Sequence, residues 1–442
     1  MTLRVACSIA FALLALQDAH ARDKLLLGAS SVAAAAGSES LLIPDPLPLV
    51  WCLERAGESN PDIARAVAAA EAAGYRVKPA GALDDPRLAY EASNIPTGDF
   101  DFRSTPLSGH QFGLHQKLPF PGLLSSREAA AQRDARAAAL RLADRELLIA
   151  SAVESAWAEL GFAQQALRIT DRNTALLRQL ASTAEARYRV GAGLQQDVLR
   201  AQVELTALLR QRLRREAAVA GAEATLVALL DLPEASVIPS TEALLMAAPA
   251  PALEALFVAA KERSARLGAL EQQVEEARAR VRVAELEGYP DVDLGLGYRL
   301  RRAVAGDPVD GDDYLSAGVT IRLPLNRSKW RARVAERRSL LRRAEADHRA
   351  ARAAVVASLR RSHAELERAV SEEALLETGL LPQARQSLAS SRAGYAVGRI
   401  DFLSLLDSQV RLLDAELRLT RARADKRLAF AALESAAGEK LR

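Results

Sequence analysis

Tyr188-Arg189-Val190-Gly191 returns 207 residues later as Tyr395-Ala396-Val397-Gly398, and the residues that follow keep the same offset. Leu199 meets Leu406, Gln202 meets Gln409, Val203 meets Val410 and Leu205 meets Leu412. Upstream, Lys117-Leu118-Pro119-Phe120 recurs as Arg322-Leu323-Pro324-Leu325, at an offset of 205. Two unrelated motifs with nearly one offset mark an internal duplication, much longer than a solenoid repeat. Its copies span 60–250 and 251–438.

Between the two motifs of each copy lies a helix of unusual length. Residues 123–188 hold no proline and one glycine, Gly161, and read as a single helix of roughly 100 Å at 1.5 Å per residue. The counterpart at 328–395 is interrupted at Gly379 and Pro382, where a kink or short break is expected. A glycine turn follows each, then a returning helix, 194–231 and 401–438; a further helix at 252–288 opens the second copy. In the second returning helix Leu406, Val410, Leu413, Leu417, Thr420 and Ala424 step by four and three, which is a coiled-coil seam. Aromatic residues are only 4% of the chain, and Ala, Leu, Arg and Glu dominate, so long packed helices are expected rather than a compact mixed domain.

A different period separates the helices. In 291–300, Val292, Leu294, Leu296, Tyr298 and Leu300 alternate with Asp293, Gly295, Gly297 and Arg299; in 315–323, Leu315, Ala317, Val319, Ile321 and Leu323 alternate with Ser316, Gly318, Thr320 and Arg322. The first copy has 111–118, with Phe112, Leu114 and Leu118 opposite Gln111, His115 and Lys117, and a weaker strand at 87–93. Strands of this length with one apolar face fit an outer membrane. Alternation alone is commoner in a soluble hairpin, but here it accompanies an export signal and a polar 301–314 loop. Four strands cannot close a barrel and open edges are not tolerated in lipid, so several chains must complete the sheet. Pro86 and Pro290 enter strands, while Pro119, Pro121 and Pro324 leave them, matched in both copies.

At the N-terminus, Arg4, the apolar run 5–16 and Ala19-His20-Ala21 form a secretory signal peptide over residues 1–21. The run is too short for a membrane anchor. Residues 22–59 form an extension and a first short helix whose role is open. Cys7 leaves with the signal, so Cys52 remains alone and no intramolecular disulfide is expected. The net charge is +3, with basic residues scattered among acids on helix faces, which excludes a nucleic-acid partner.

With these features in order, the chain resembles the TolC family of outer-membrane efflux proteins over nearly all its mature length. Asn60-Pro61-Asp62-Ile63, Asp85-Pro86-Arg87-Leu88, Lys117-Leu118-Pro119-Phe120-Pro121-Gly122 and the paired Tyr-x-Val-Gly turns carry the resemblance. Asn94-Ile95-Pro96-Thr97-Gly98-Asp99 looks like the heavy-metal branch of cobalt, zinc and cadmium exporters. The resemblance implies a mainly α fold with a small transmembrane β part. Duplicated helical hairpins would form a periplasmic α-barrel, and four strands per chain would complete a 12-stranded barrel in a homotrimer within outer-membrane lipid. It also implies a periplasmic adaptor and an inner-membrane pump of the resistance-nodulation-division type as partners. Val190, Gly191, Val397 and Gly398 would then meet the adaptor, although a glycine ending a helix is also commonplace. Asp407, with Ser404 and Asp197 beside it, would line the periplasmic gate as a ring of carboxylates; Asp401 reads better as a helix cap.

No His-Glu-x-x-His, phosphate loop or nucleophile elbow is present, so no enzyme and no cofactor are expected. His110, His115, His348 and His363 lack zinc-ligand spacing, and no resident metal is expected. The function expected is a passive exit duct in a tripartite efflux system, its cargo extending to heavy-metal cations. A type I secretion duct uses the same scaffold, and a periplasmic coiled-coil adaptor is the rival from another class.

Overall fold

The computed structural model describes residues 42–441, except 99, 103, 104, 106, 245–251, 307, 309 and 310. The expected signal peptide over 1–21 and residues 22–41 of the expected extension therefore lie outside the described residues. Within the unit Pro46–Arg442, α1 (Leu49–Ser59) precedes the first copy, which comprises α2 (Pro61–Tyr75), α3 (Val77–Gly81), β1 (Arg87–Ser93), β2 (Gly109–Leu118), α4 (Leu123–Arg189) and α5 (Gln195–Leu229). The second comprises α6 (Leu253–Arg263), α7 (Ala265–Leu286), β3 (Asp291–Leu300), β4 (Tyr314–Arg322), α8 (Arg327–Leu375), a π turn (Leu376–Leu380), α9 (Leu381–Ala396) and α10 (Phe402–Ala437).

All four strands form one antiparallel sheet in the order β1-β2-β3-β4, so the copies meet at the β2–β3 pair. Register sorts the faces. Tyr90, Phe112, Tyr298 and Leu315 lie across from one another in neighbouring strands, as do Leu88, Leu114, Leu296 and Ala317. The opposite face pairs Lys117 with Asp293 and Asp291 with Arg322, and there His115 Nδ1 sits 3.4 Å from Asp293. The prolines stand where the period changes: Pro86 and Pro290 immediately precede β1 and β3, Pro119 follows β2 and Pro324 follows β4 by one residue. Pro121 lies in the turn that leads through Gly122, at φ +87°, into α4. Among the described residues the outer edges of β1 and β4 have no strand partner.

Helices carry the chain away from the sheet. Near it, α4 packs against α2 and α7, and α7 against α8; toward the hairpin ends, α4 packs on α5 and α10, and α10 on α8 and α9. Small residues make this close packing possible: Ala137, Ala158, Ala166 and Ala424 are fully buried. No described helix is long and apolar enough to cross a membrane.

Two expected elements differ. The helix expected over 252–288 is two helices, parted at Ser264 (φ −62°, ψ 111°), whose Oγ accepts from the Leu267 N–H. Space is the cause: a Cβ added to Gly438, past the end of α10, would lie 2.7 Å from the Ser264 Cα. A tight backbone crossing there leaves room for a capped corner, not a continuous cylinder. The break expected in the second long helix is instead a π turn. Pro382 lacks an N–H and its ring collides with the carbonyl four residues back, and a widened turn absorbs this without stopping the helix. A π turn also holds one extra residue, part of the two-residue excess of the second copy between its two motifs.

A belt crosses α4 at mid-length. The buried Leu47 bridges Thr241 in parallel, its N–H donating to Ser240 O (2.8 Å) and its carbonyl accepting from Trp157 Nε1–H (3.1 Å). Gln164 grips the same segment, donating to Pro239 O at 3.2 Å and accepting from the Thr241 N–H at 3.0 Å. Gly161 lies beneath: a Cβ there would meet Thr241 Oγ1 at 2.8 Å and Leu244 at 3.0 Å. The lone glycine of the long helix is the floor of this crossing. Gly161→Leu is expected to cost about 2 kcal/mol by overpacking, whereas Gly221→Ala on exposed α5, where a Cβ meets nothing, is expected to gain up to about 1 kcal/mol; the thermal midpoints of the two purified variants check the contrast.

Candidate functional site

The ends of the two hairpins are built alike. Gly191 (φ +73°) donates to Tyr188 O at 3.0 Å, and Ala192 donates to Arg187 O at 2.9 Å. Gly398 (φ +71°) donates to Tyr395 O at 3.1 Å, and Arg399 donates to Gly394 O at 2.9 Å. Both are Schellman turns, whose left-handed residue needs glycine. They set Val190 and Val397 outward at the apex, 77% and 69% exposed, with Leu194 and Leu403 behind them.

The turns differ by a compensated exchange. Arg187 and Gly193 in the first correspond to Gly394 and Ile400 in the second. A Cβ at Gly193 would sit 3.2 Å from Arg187, and one at Gly394 would sit 3.3 Å from Ile400. Each turn thus keeps one large and one small residue, in opposite order. The exchange frees Arg187 to reach across: its guanidinium lies 4.7 Å from the Tyr395 ring centre and donates to the Tyr395 carbonyl. Tyr395 packs edge-on against the fully buried Phe402. Burial pushes the Tyr395 hydroxyl up, against the pull of Arg187, and Asp197 pushes the same way as burial.

Asp401 begins α10, its Oδ1 accepting from the Ser404 N–H at 3.1 Å. Hydrogen bonds from Ser404 hold its carboxyl below the usual range. Ser404 is thus the capped residue of the first turn, and its carbonyl accepts from Ser408 Oγ, which also meets Ser391 Oγ of α9 at 2.9 Å. Asp407 lies on the exposed stripe of α10 with Leu403 and Val410. Arg411 holds it at 2.8 Å, and the pattern repeats seven residues on, Arg418 to Asp414 at 2.7 Å. Sequence reasoning did not single out Arg411 or Arg418, although the four-residue spacing of opposite charges is a legible signal. Nor did it find the buried link one turn farther in. There Gln409 donates to Asn173 Oδ1, and Asn173 donates to Glu416 at 3.2 Å, which fixes α10 to α4.

Among the described residues no group of three His, Cys, Asp or Glu side chains is placed to hold a metal ion. Asn94 adopts φ +55° at the end of β1, its Nδ2 donating to Leu107 O and its carbonyl accepting from Ser108 Oγ. That is turn geometry, which asparagine tolerates; Asp99 lies outside the described residues.

Comparison with known proteins agrees with this architecture. A model of the outer membrane efflux protein family matches residues 52–231 and 256–439. The chain is 31% identical over 327 residues to Protein CyaE of Bordetella pertussis, covering 69% of this chain and 68% of that protein. Among solved structures, the outer-membrane channel OprN superposes with a TM-score of 0.75 at 20% identity, over 88% of this chain and 89% of that one. VceC of Vibrio cholerae gives 0.75 at 18% identity, over 89% and 97%, and the open-state MtrE channel of Neisseria gonorrhoeae gives 0.73 at 16%, over 89% of both chains. Likeness at these identities establishes the fold. The two family matches run through both copies of the duplication, and the chain belongs to the outer membrane efflux protein family: a channel of the outer membrane with its helical part in the periplasm, and not an enzyme.

Proposed function

We propose that three copies of this chain join edge to edge into a 12-stranded barrel continued by a periplasmic helical tunnel. The assembly acts as a passive exit duct, fed by an inner-membrane pump of the resistance-nodulation-division type through an adaptor that docks on the hairpin ends. The observation that carries the docking is the pair of outward valines. Val190 and Val397 are exposed apolar side chains at matched apices, held there by turns that spend two glycines on the geometry. Apolar tips suit the tips of another protein's helices better than water. The scaffold serves a type I secretion route equally well. Heavy-metal cargo rests on the Asn94–Asp99 stretch alone, where the Asn94 turn supplies a structural reason for the asparagine.

We place the narrowest part of the duct at α10, with Asp407 on the stripe that faces it and Ser404 and Asp197 nearby. Because Arg411 already holds Asp407, three copies would make a ring of both signs, with weaker cation preference than bare carboxylates.

Two experiments bear on this. Deleting the gene should sensitise the host to a subset of a panel of drugs and divalent metals. Wild type should restore growth, whereas Val190→Asp with Val397→Asp should reach the outer membrane as a normal oligomer and restore nothing; full rescue by that variant would remove the docking assignment. In planar bilayers under a salt gradient, Asp407→Asn leaves Arg411 unopposed and should move the reversal potential toward anions. An unchanged potential would return Asp407 to a mere helix-surface pair.

A further inference from the structure

The duplication supplies its own comparison where each long helix leaves the sheet. At the local offset of 205, Arg327-Ser328-Lys329-Trp330-Arg331-Ala332-Arg333 stands where the first copy has Gly122-Leu123-Leu124-Ser125-Ser126-Arg127-Glu128. Four cations and a tryptophan replace a stretch whose single arginine, Arg127, is already paired with Glu287 at 3.0 Å. The fold does not need positive charge at this level. The helix gains nothing from it either, since cations at a helix start oppose the macrodipole and the first turn of α8 carries no acid.

Two of these charges also lack a side-chain partner. Arg327 and Arg331, exposed and one turn apart, make no hydrogen bond or ion pair with another side chain among the described residues. The Lys329 and Arg333 cations flank the Trp330 ring at 5.4 and 5.0 Å from its centre. Farther along α8 pairing resumes, Arg338 with Glu285 at 3.0 Å and Glu345 with Arg278 at 3.8 Å. Arg337, Arg349, Arg352 and Arg361 of α8 likewise have no ion pair among the described residues, so what sets Arg327 and Arg331 apart is their place at the rim of the sheet.

What lies beside them is apolar. Leu323 and Leu325, 61% and 83% exposed, keep the odd-numbered phase of Leu315, Val319 and Ile321 and extend that face of β4 past its end. Tyr289 stacks on Phe120 at 4.5 Å next to them. Tyr289, Leu323, Leu325, Arg327, Trp330 and Arg331 line one cleft of about 460 Å³. Its apolar wall is continuous with the membrane face of the sheet, and its periplasmic side is closed by an indole and two free guanidiniums.

We propose that this cleft binds the phosphate headgroup of an anionic phospholipid in the inner leaflet of the outer membrane. The acyl chains would lie along β4, and Arg327 and Arg331 would hold the phosphate. Arginine pairs bind phosphate through forked, charge-assisted hydrogen bonds. Tryptophan and tyrosine favour the headgroup level, and clustered basic residues beside a membrane segment select anionic lipid. The inference rests on the reading of the apolar sheet face as membrane-facing.

The test counts lipid bound to the full-length oligomer by native mass spectrometry, in neutral detergent titrated with dioleoyl phosphatidylglycerol or dioleoyl phosphatidylcholine. Wild type should prefer phosphatidylglycerol, Arg327→Gln with Arg331→Gln should lose that preference on the order of tenfold, and Arg127→Gln should keep it. Millimolar inorganic phosphate should fail to displace the lipid; ready displacement would make the cleft a free-anion site and overturn the assignment. Equal binding of both lipids by wild type, or an undiminished preference in the double variant, would also overturn it. Both variants must run as the wild-type heat-sensitive oligomer. Wild type that forms no channels in bilayers would sink the membrane reading itself, whereas channels without lipid preference would sink this inference alone.

Discussion

The outer edges of β1 and β4 present rows of backbone N–H and C=O groups that no strand among the described residues pairs with. In water such edges are solvated at little cost, but in hydrocarbon each unpaired group costs several kcal/mol. A four-stranded sheet cannot curl far enough to pair its own first and last strands, and in the proposed assembly other copies supply the missing partners. The helices also leave apolar side chains open. On α5, at the outer side of the first copy, Leu199, Val203 and Leu213 are exposed; on α8 and the π turn of the second, Val370, Leu375 and Leu380 are exposed. In the proposed assembly, neighbouring copies would cover these apolar side chains as well as the strand edges.

Duplication explains how one chain supplies both sides. The β2–β3 pair joins the copies in the sheet, and α4 against α10 joins them in the helices. At that inner seam specific polar contacts are set among apolar ones such as Leu177, Leu180 and Leu406: Gln409 with Asn173, Arg187 with Tyr395, and Arg421, paired with Glu159 at 2.8 Å and with its own guanidinium above Phe162. The first-copy counterpart of Gln409, Gln202, is exposed. Equal sequence has thus acquired unequal environments, and the copies have diverged where they face each other.

Much of this was legible because its causes are local. Period two in 291–300, period 3.6 in the long helices and proline at each change of period are set by residues a few positions apart, and the strands and hairpins follow from them. Elements with distant causes were not legible. Ser264 sits in a run with good helix propensity and opens only because the Gly438 backbone lies against it. Gly161 was visible as the one glycine of α4, but not the belt from Leu47 and Thr241 that requires it. At the hairpin ends the glycine turns could be read from the repeat, whereas the reach of Arg187 to Tyr395 spans the whole duplication and leaves no local trace. The Arg411 partner of Asp407 was in plain view at four residues' distance, and it changes the electrostatic meaning of that carboxylate.

Edge-to-edge closure is tested most directly by joining the two edges. Leu88 on β1 and Val319 on β4 are exposed on the same face of the sheet. The buried Cys52 thiol, pushed up to about 12 by desolvation, will not compete for a maleimide. Outer membranes carrying Leu88→Cys with Val319→Cys, treated with a short bismaleimide and run under denaturing conditions, should give a ladder that ends at three chains, while either single variant gives none. A product confined to single chains, or a ladder that runs past three, would contradict the account.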